Sequence, residues 1–196
     1  MGGKASLVGA LGKDEPGERF TSLADKTPGL TLLPAQIAGR PTVLKTRMVS
    51  QNQQMLRVDR ENNTPLDGHA AATILKNAQR AIKSAKAVVL SDYAKGVLTK
   101  EAAQAFIKLA REAGCRVIVD PKGRDYSKYR GAAAVTPNRG EAEAATGIDC
   151  RTMEGVEKAG RELAASLGLE AAVAWQWQRV AAHRRPRQPA ALHGAP

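Results

Sequence analysis

Three apolar runs in this 196-residue sequence end on groups that can bind ions. "VVLSDYAKG" (residues 88–96) stops at Ser91, Asp92 and Lys95, "VIVDPKG" (117–123) at Asp120 and Lys122, and "AAAVTPNRGE" (132–141) at Asn138 and Glu141. Carboxylates order water around a hard cation, ammonium groups offset anionic oxygens, and an amide beside backbone N–H groups at a helix start meets phosphate-type oxygens. Each residue also has an ordinary reading: Asp92 and Asp120 as helix caps, Lys95 and Lys122 as solvated charges, Asn138 as a helix start. The residue types alone leave the two readings evenly weighted.

The elements around these ends decide where they point. Residues 5–11 read as a short buried strand, followed by a helix start in "GKDEPGERFTSLAD", with Pro16 early and acids in the first turn. From 30 to 59, "LTLLPA", "PTVLKTRMVS" and "QQMLRVD" are rich in β-branched residues with partial alternation, which predicts a small antiparallel subsheet. Asp67 then opens a helix whose Ala71, Ile74, Leu75, Ala78, Ala81, Ile82 and Ala85 follow the i, i+3, i+4, i+7 spacing. After it come strand 87–91, helix 99–113 capped by Thr99, strands 116–120 and 132–136, and helices 138–146 and 152–167. Continuously apolar strands alternating with amphipathic helices predict an α/β fold, a mostly parallel sheet covered on both faces. Ligands of such sheets bind outside the carboxyl ends of the strands, where the three polar endings fall.

Composition narrows the function classes. With 43% hydrophobic and 25% charged residues the chain is an ordinary globular one. The net charge of +11 raises nucleic acid as a partner, but the basic residues are scattered and lack interleaved aromatics, so a nucleic-acid face is disfavoured. All acids lie at or before Glu170, and Arg179, Arg184, Arg185 and Arg187 sit in an acid-free segment, 175–196, expected to be a disordered basic tail. Cys115 and Cys150 show neither disulfide nor zinc spacing. No apolar run reaches membrane-spanning length, so no membrane partner is expected and the cytoplasm is the default compartment.

Four blocks, "VSQNQQMLRVD" (49–59), "VVLSDYAKGVLT" (88–99), "VIVDPKGRDYSKYRGA" (117–132) and "VTPNRGEAEAATG" (135–147), resemble the ribokinase superfamily of carbohydrate kinases, and within it the heptose 7-phosphate kinases. The resemblance runs from about residue 3 to about 173 and places a partial kinase domain at 1–174, with a lid subsheet at about 30–59. It implies a ribokinase-like fold, ATP and Mg2+ as cofactors, and a homodimer for the complete enzyme. The N-x-x-E motif Asn138, Arg139, Gly140 and Glu141 would serve ATP and magnesium, without a direct protein ligand to the metal. Arg47, Gln53, Gln54 and Arg57 on the lid, with Asp92, Lys95, Asp120 and Lys122, are the candidates for the sugar phosphate.

The implied reaction is phosphorylation of D-glycero-D-manno-heptose 7-phosphate at its anomeric hydroxyl, giving the 1,7-bisphosphate on the route to the heptose of lipopolysaccharide. The family's Gly-Ala-Gly-Asp segment, whose Asp acts as general base, does not occur in the sequence, and neither does the family's opening Gly-Gly-Ala-Ala-Asn turn. The expectation is therefore an incomplete fold, a gene fragment with a frameshift near Ala174, that is inactive alone. The alternative is a non-catalytic fragment that binds a sugar phosphate or a nucleotide.

Overall fold

The computed structural model describes residues 2–51, 53–176 and 179–184, with side chains described as far as residue 172. The chain divides into two compact units, Met1–Val117 and Ile118–Pro196.

The first unit opens with β1 (Ala5–Gly12), α1 (Glu15–Asp25) and β2 (Leu30–Ile37). β1 and β2 pair in parallel from Ala5↔Leu30 to Gly12↔Ile37. Parallel neighbours need a crossover, and α1 supplies it. That helix starts where the Asp14 carboxylate accepts from the Gly17 N–H at 3.1 Å and Pro16 takes the first turn, where its missing N–H costs nothing.

The antiparallel lid expected over 30–59 is shorter than the sequence pattern suggests. β2 belongs to the parallel pair, and the antiparallel ribbon consists of β3 (Leu44–Ser50) and β4 (Gln53–Arg60) alone. "LTLLPA" is a nearly continuous apolar run, which suits a strand covered on both faces, whereas the ribbon residues alternate. In the ribbon, Thr46 faces Val58 and Met48 faces Leu56, while the alternate positions pair Lys45 with Asp59 and Arg47 with Arg57. Successive side chains of a strand point to opposite faces, so the ribbon has one largely apolar face and one charged face. Every described residue of both strands is exposed.

Helix α2 (Gly68–Ile82) is capped by Asp67, whose carboxylate accepts from the Ala70 N–H at 2.7 Å, and it buries the row Ala70, Ile74, Ala78 and Ile82 against β1, β2 and α3. The helix ends before Ala85, which the periodic pattern had included. β5 (Ala87–Ser91) and α3 (Lys100–Glu112) follow, and Thr99 caps α3 through the Ala102 N–H at 3.2 Å.

β6 (Arg116–Asp120) leads into the second unit. There β6, β7 (Ala134–Val135) and β8 (Ala171–Gln176) are parallel neighbours, and β9 (Arg179–Arg184) returns antiparallel to β8. α4 (Arg139–Thr146) and α5 (Met153–Leu167) pack together through Ala142, Cys150, Val156 and Ala159. β9 lies inside the segment expected to be a disordered tail. An edge strand offers unpaired backbone groups that any extended segment can satisfy, whatever its side-chain pattern. The remainder of that tail, 177–178 and 185–196, lies outside the described residues. Among the described residues no helix is long and apolar enough to cross a membrane.

Candidate functional site

In the second unit the N-x-x-E motif is a helix start. Asn138 has extended backbone and caps α4, its Oδ1 accepting from the Glu141 N–H at 3.0 Å. Glu141 Oε2 in return accepts from the Asn138 N–H at 3.0 Å, which closes a reciprocal capping box. The other oxygen, Glu141 Oε1, accepts from Lys122 Nζ at 2.9 Å. Both oxygens of this carboxylate are therefore engaged, and the hydrogen bond that Lys122 donates to Glu141 holds its ammonium above its ordinary pKa. Glu141 is largely covered while half of the Lys122 side chain remains exposed, so the ammonium is the accessible member of the pair.

Arg139 and Gly140 are exposed in the first turn of α4. A Cβ at Gly140 would meet only Asn138 Oδ1, at 3.6 Å, so the fold itself does not require glycine there.

The backbone of Lys122 is fixed from below by Tyr129. That fully buried phenol accepts from the Lys122 N–H at 3.2 Å and donates to the Lys122 carbonyl at 3.4 Å. Tyr126 packs edge-on against Tyr129 with ring centroids 5.5 Å apart. Its own hydroxyl is buried and has no hydrogen-bond partner. Burial, reinforced by the negative charges of Glu141 and Asp120, pushes the Tyr126 phenol well above its ordinary pKa, so it remains a neutral donor.

In the first unit, Asp92 is 4% exposed and accepts from the Ala94 N–H at 2.7 Å, a two-residue turn that sets Ala94 at φ 53°. α3 takes its cap from Thr99 instead. Lys95 is not a solvated charge: its Nζ pairs closely with Glu61 Oε1, and Lys45 Nζ lies 3.8 Å from Glu61 Oε2. The hydrogen bond from Lys95 lowers the Glu61 pKa. Asp59 bridges Arg57 at 3.0 Å and Lys45 at 3.3 Å, and although burial opposes it, these cations hold its pKa below the ordinary carboxylate value.

Arg47 stands opposite Arg57 in register, a like-charge pairing that an anion between them would relieve. Gln53 and Gln54, paired with Ser50 and Val49, are exposed at the ribbon tip.

Two polar knots anchor the ribbon. On the entering side the buried Thr42 hydroxyl accepts from the Gly12 N–H at 2.8 Å and donates to Asp14 Oδ1 at 2.6 Å, while Thr42 N–H donates to Asp14 Oδ2 at 2.9 Å. The Thr42 hydroxyl is the main reason the Asp14 pKa is depressed. On the leaving side Arg40 Nη2 donates to the carbonyls of Asn62, Thr64 and Lys95 at 2.9, 3.0 and 2.8 Å. Gly96, at φ +75°, lets the Thr64 carbonyl approach where a Cβ would stand.

The residues proposed from sequence thus fall into local groups: Lys122, Asn138 and Glu141 form one, Lys95 joins Glu61, and Arg57 joins Lys45 through Asp59. Asp120 closes β6 beside the first group and shares with Glu141 the electrostatic influence on Tyr126. Sequence reasoning missed Glu61, Arg40 and Thr42, whose partners lie elsewhere in the chain, and Tyr126, whose buried hydroxyl has none. For Tyr126 the usable signal was a pair of tyrosines three apart, "YSKY", in a polar loop. Among the described residues no group of three or more His, Cys, Asp or Glu side chains gathers to cage a metal ion.

A model described as the pfkB family of carbohydrate kinases matches residues 1–187, a match that continues beyond residue 174, past the boundary expected from the sequence blocks. The bifunctional protein HldE of Gluconacetobacter diazotrophicus is 41% identical over 161 residues, 82% of this chain and 33% of that protein. HldE of Halorhodospira halophila is 40% identical over 193 residues, 98% of this chain and 39% of that protein. The chain spans 33% and 39% of the length of these two relatives. Among solved structures, a possible 1-phosphofructokinase from Thermotoga maritima superposes with a TM-score of 0.76 at 17% identity, over 94% of this chain and 58% of that one. A ribokinase of Arabidopsis thaliana, solved with ribose and ATP, gives 0.66 at 17% identity, over 95% and 60%. At such identities the structural likeness shows the fold, and the fold is ribokinase-like α/β.

Proposed function

Because the chain belongs to the pfkB family of carbohydrate kinases, we propose that it forms part of an enzyme that transfers a phosphoryl group from ATP to the anomeric hydroxyl of D-glycero-D-manno-heptose 7-phosphate. The observation that carries this reading is the Lys122–Glu141–Asn138 cluster, an accessible ammonium beside a carboxylate locked to the first turn of a helix. The four sequence blocks that resemble the heptose 7-phosphate kinases favour a heptose over other sugars.

The residues fit magnesium-bound ATP. Lys122 is the accessible cation for a phosphate oxygen, Asn138 and the exposed first turn of α4 with Arg139 and Gly140 offer further donors, and Glu141 is placed to accept from metal-bound water. ATP supplies the transferable phosphoryl group when bound. What the chain contributes is charge neutralisation and alignment, the two things on which phosphoryl transfer chiefly depends.

The charged face of the ribbon, with Lys45, Arg47 and Arg57, is the candidate for the 7-phosphate, and Gln53 and Gln54 are candidates for sugar hydroxyls. Asp92 and Lys95 act through the loop that the ribbon's leaving strand is tied to, by way of Glu61 and Arg40. Asp120 is assigned to the same metal-water shell as Glu141. No residue of this chain is assigned the role of proton acceptor.

The test is thermal unfolding of the 196-residue chain with MgATP and, separately, with the heptose 7-phosphate, against fructose 6-phosphate as the comparison sugar. A ligand at a hundred times its Kd stabilises by about 2.7 kcal/mol, which for a chain of this size is roughly 5–10 °C. We expect shifts of this order with MgATP and the heptose phosphate and a smaller one with the fructose phosphate. Equal shifts with both sugars remove the heptose assignment, and no shift with MgATP removes the kinase site. ADP release measured with both substrates present separates catalysis from binding alone.

A further inference from the structure

The ribbon register sets Arg47 directly opposite Arg57. Like charges facing each other across a strand pair destabilise it, and a pair of guanidinium groups so placed is relieved by a shared anion. The two arginines are not held alike. Among the described residues Arg47 has no ion-pair partner, whereas Arg57 is held from one side, with Asp59 Oδ1 3.0 Å from its Nε.

Asp59 is itself the end of a longer chain of contacts. Its Oδ2 accepts from Lys45 Nζ at 3.3 Å, Lys45 Nζ lies 3.8 Å from Glu61 Oε2, and Glu61 Oε1 pairs with Lys95. Charges therefore alternate from the loop after β5 to the middle of the ribbon. The loop end is fixed, because Arg40 Nη2 donates to the Lys95 carbonyl at 2.8 Å. The two acids are the covered members, with side chains 24% and 23% exposed, while Arg57 stands half exposed. Arginine carries its N–H donors in a rigid fork, so a carboxylate at Nε leaves the edge with the two terminal nitrogens for bidentate contact with a phosphate. Lysine has a single nitrogen and no second edge, and that of Lys45 is already shared between two carboxylates.

We propose that Asp59 is a positioning residue for anion binding on the ribbon: it holds Arg57 by Nε so that its terminal nitrogens, together with Arg47, clasp a phosphate group, and Lys45 serves Asp59 and Glu61 instead of the ligand. That the phosphate belongs to a heptose rests on the function proposed above; the role of Asp59 does not, and the two can fail separately.

The sign of one substitution decides the matter. A carboxylate near an anion repels it, so an Asp59 that acted through its charge alone would make Asp59→Asn bind phosphate more tightly, by about threefold at water-like screening. An Asp59 that positions Arg57 makes the same variant bind about tenfold more weakly, the loss of roughly one charge-assisted hydrogen bond. Calorimetric titration of the 196-residue chain and its variants with inorganic phosphate, heptose 7-phosphate and the unphosphorylated heptose reads the difference. We expect Asp59→Asn to lose about tenfold for both phosphates and nothing for the unphosphorylated sugar, a selectivity that a general loss of structure would not give. Arg57→Lys should lose as much, since one ammonium cannot be held by Asp59 and grip the ligand with a fork; it leaves both acids in place and carries the test if Asp59→Asn fails to fold. Lys45→Met should lose only about threefold, the Coulombic effect of one nearby charge.

Unchanged or tighter phosphate binding by Asp59→Asn overturns the proposal. So does a larger loss in Lys45→Met than in Asp59→Asn, or a parent that binds neither phosphate. A parent that binds inorganic phosphate and heptose 7-phosphate equally well, with the Asp59→Asn loss intact, upholds the positioning role and removes the heptose. Heptose 7-phosphate bound as tightly by Asp59→Asn as by the parent, and more tightly than inorganic phosphate, keeps the heptose and refutes the role of Asp59.

Discussion

Replacing Asn138 by alanine separates the structural work of the N-x-x-E motif from its binding work. The Asn138 side chain accepts one N–H, that of Glu141, at 3.0 Å, and its loss leaves that donor at the head of a helix only eight residues long. An N-cap truncated to alanine costs about 1 kcal/mol, within a range of roughly 0.5–2. The reciprocal bond from Asn138 N–H to Glu141 Oε2 uses backbone and survives the change. The loss should therefore stay near one cap, a fall of about 2–4 °C in the unfolding midpoint.

Glu141→Gln makes the opposite exchange. The amide oxygen still accepts from the Asn138 N–H, but the charge that holds Lys122 is gone, and an ion pair whose lysine is half exposed contributes only about 0–1 kcal/mol. Stability should thus rank parent, then Glu141→Gln, then Asn138→Ala, while Asn138→Asp, which keeps a capping oxygen, should stay close to the parent. Binding of MgATP should show a different order, with Glu141→Gln binding more weakly than Asn138→Ala, because in the proposed function Lys122 and the metal waters both use that carboxylate. Urea unfolding gives the first ranking, and the ligand dependence of the midpoint gives the second. If Asn138→Ala unfolds with the parent, or if Glu141→Gln is the less stable of the two, the capping box does not carry the load assigned to it here.

Gly96→Ala should destabilise well beyond the roughly 1 kcal/mol expected at an open left-handed glycine, because its Cβ would meet the Thr64 carbonyl; Gly147→Ala, at φ +72° with nothing within 4 Å, is the control for conformation alone. Urea midpoints that match for the two variants would show that the close approach of 64 to 96 is not needed. Thr42→Val leaves the buried Gly12 N–H without its acceptor and should cost about 1–3 kcal/mol, whereas Thr42→Ser should recover most of it; a loss in Thr42→Ser that Thr42→Val does not show would assign the effect to packing of the methyl group.

The pH dependence follows from Asp14, Asp59, Glu61, Glu101 and Asp149, all depressed on folding, Asp149 to about 2 by Arg151. A carboxylate with a lowered folded pKa binds protons more readily when unfolded, so its stabilisation is full above its unfolded value and is lost as pH falls through the folded one. The unfolding midpoint should hold steady above the ordinary carboxylate values of 3.8 and 4.5 and fall progressively toward pH about 2. Glu61→Gln should flatten part of that decline, and an acid limb of unchanged shape would remove Glu61 from the account.

The local signals in the sequence gave most of the elements. α2 and α3 follow from apolar spacing of three and four together with Asp67 and Thr99 as caps, because a helix bonds within itself and its ends must be satisfied nearby. β5 and β6 follow from short apolar runs bounded by polar turns. Asn138 as a helix start was equally legible, since a cap and its partner three residues on form a local motif.

What was not legible depends on residues distant in sequence. Strand composition does not name a strand's neighbour, so "LTLLPA" was assigned to an antiparallel subsheet although it pairs in parallel with β1, across the α1 crossover. β9 escaped notice because an edge strand is recruited through its backbone, which leaves no periodic trace. Lys95 reads as a free surface charge until folding brings Glu61, 34 positions away, against it. Tyr126 reads as one more polar-loop aromatic, and only the folded chain buries its hydroxyl. The sequence by itself determined which groups able to bind a phosphate and a hydrated cation stand at strand ends and helix starts, because those positions are set by local hydrogen bonding. Tertiary structure alone decided which of them are already paired and which hydroxyl is left without a partner, because burial and long-range contacts are properties of the packed chain.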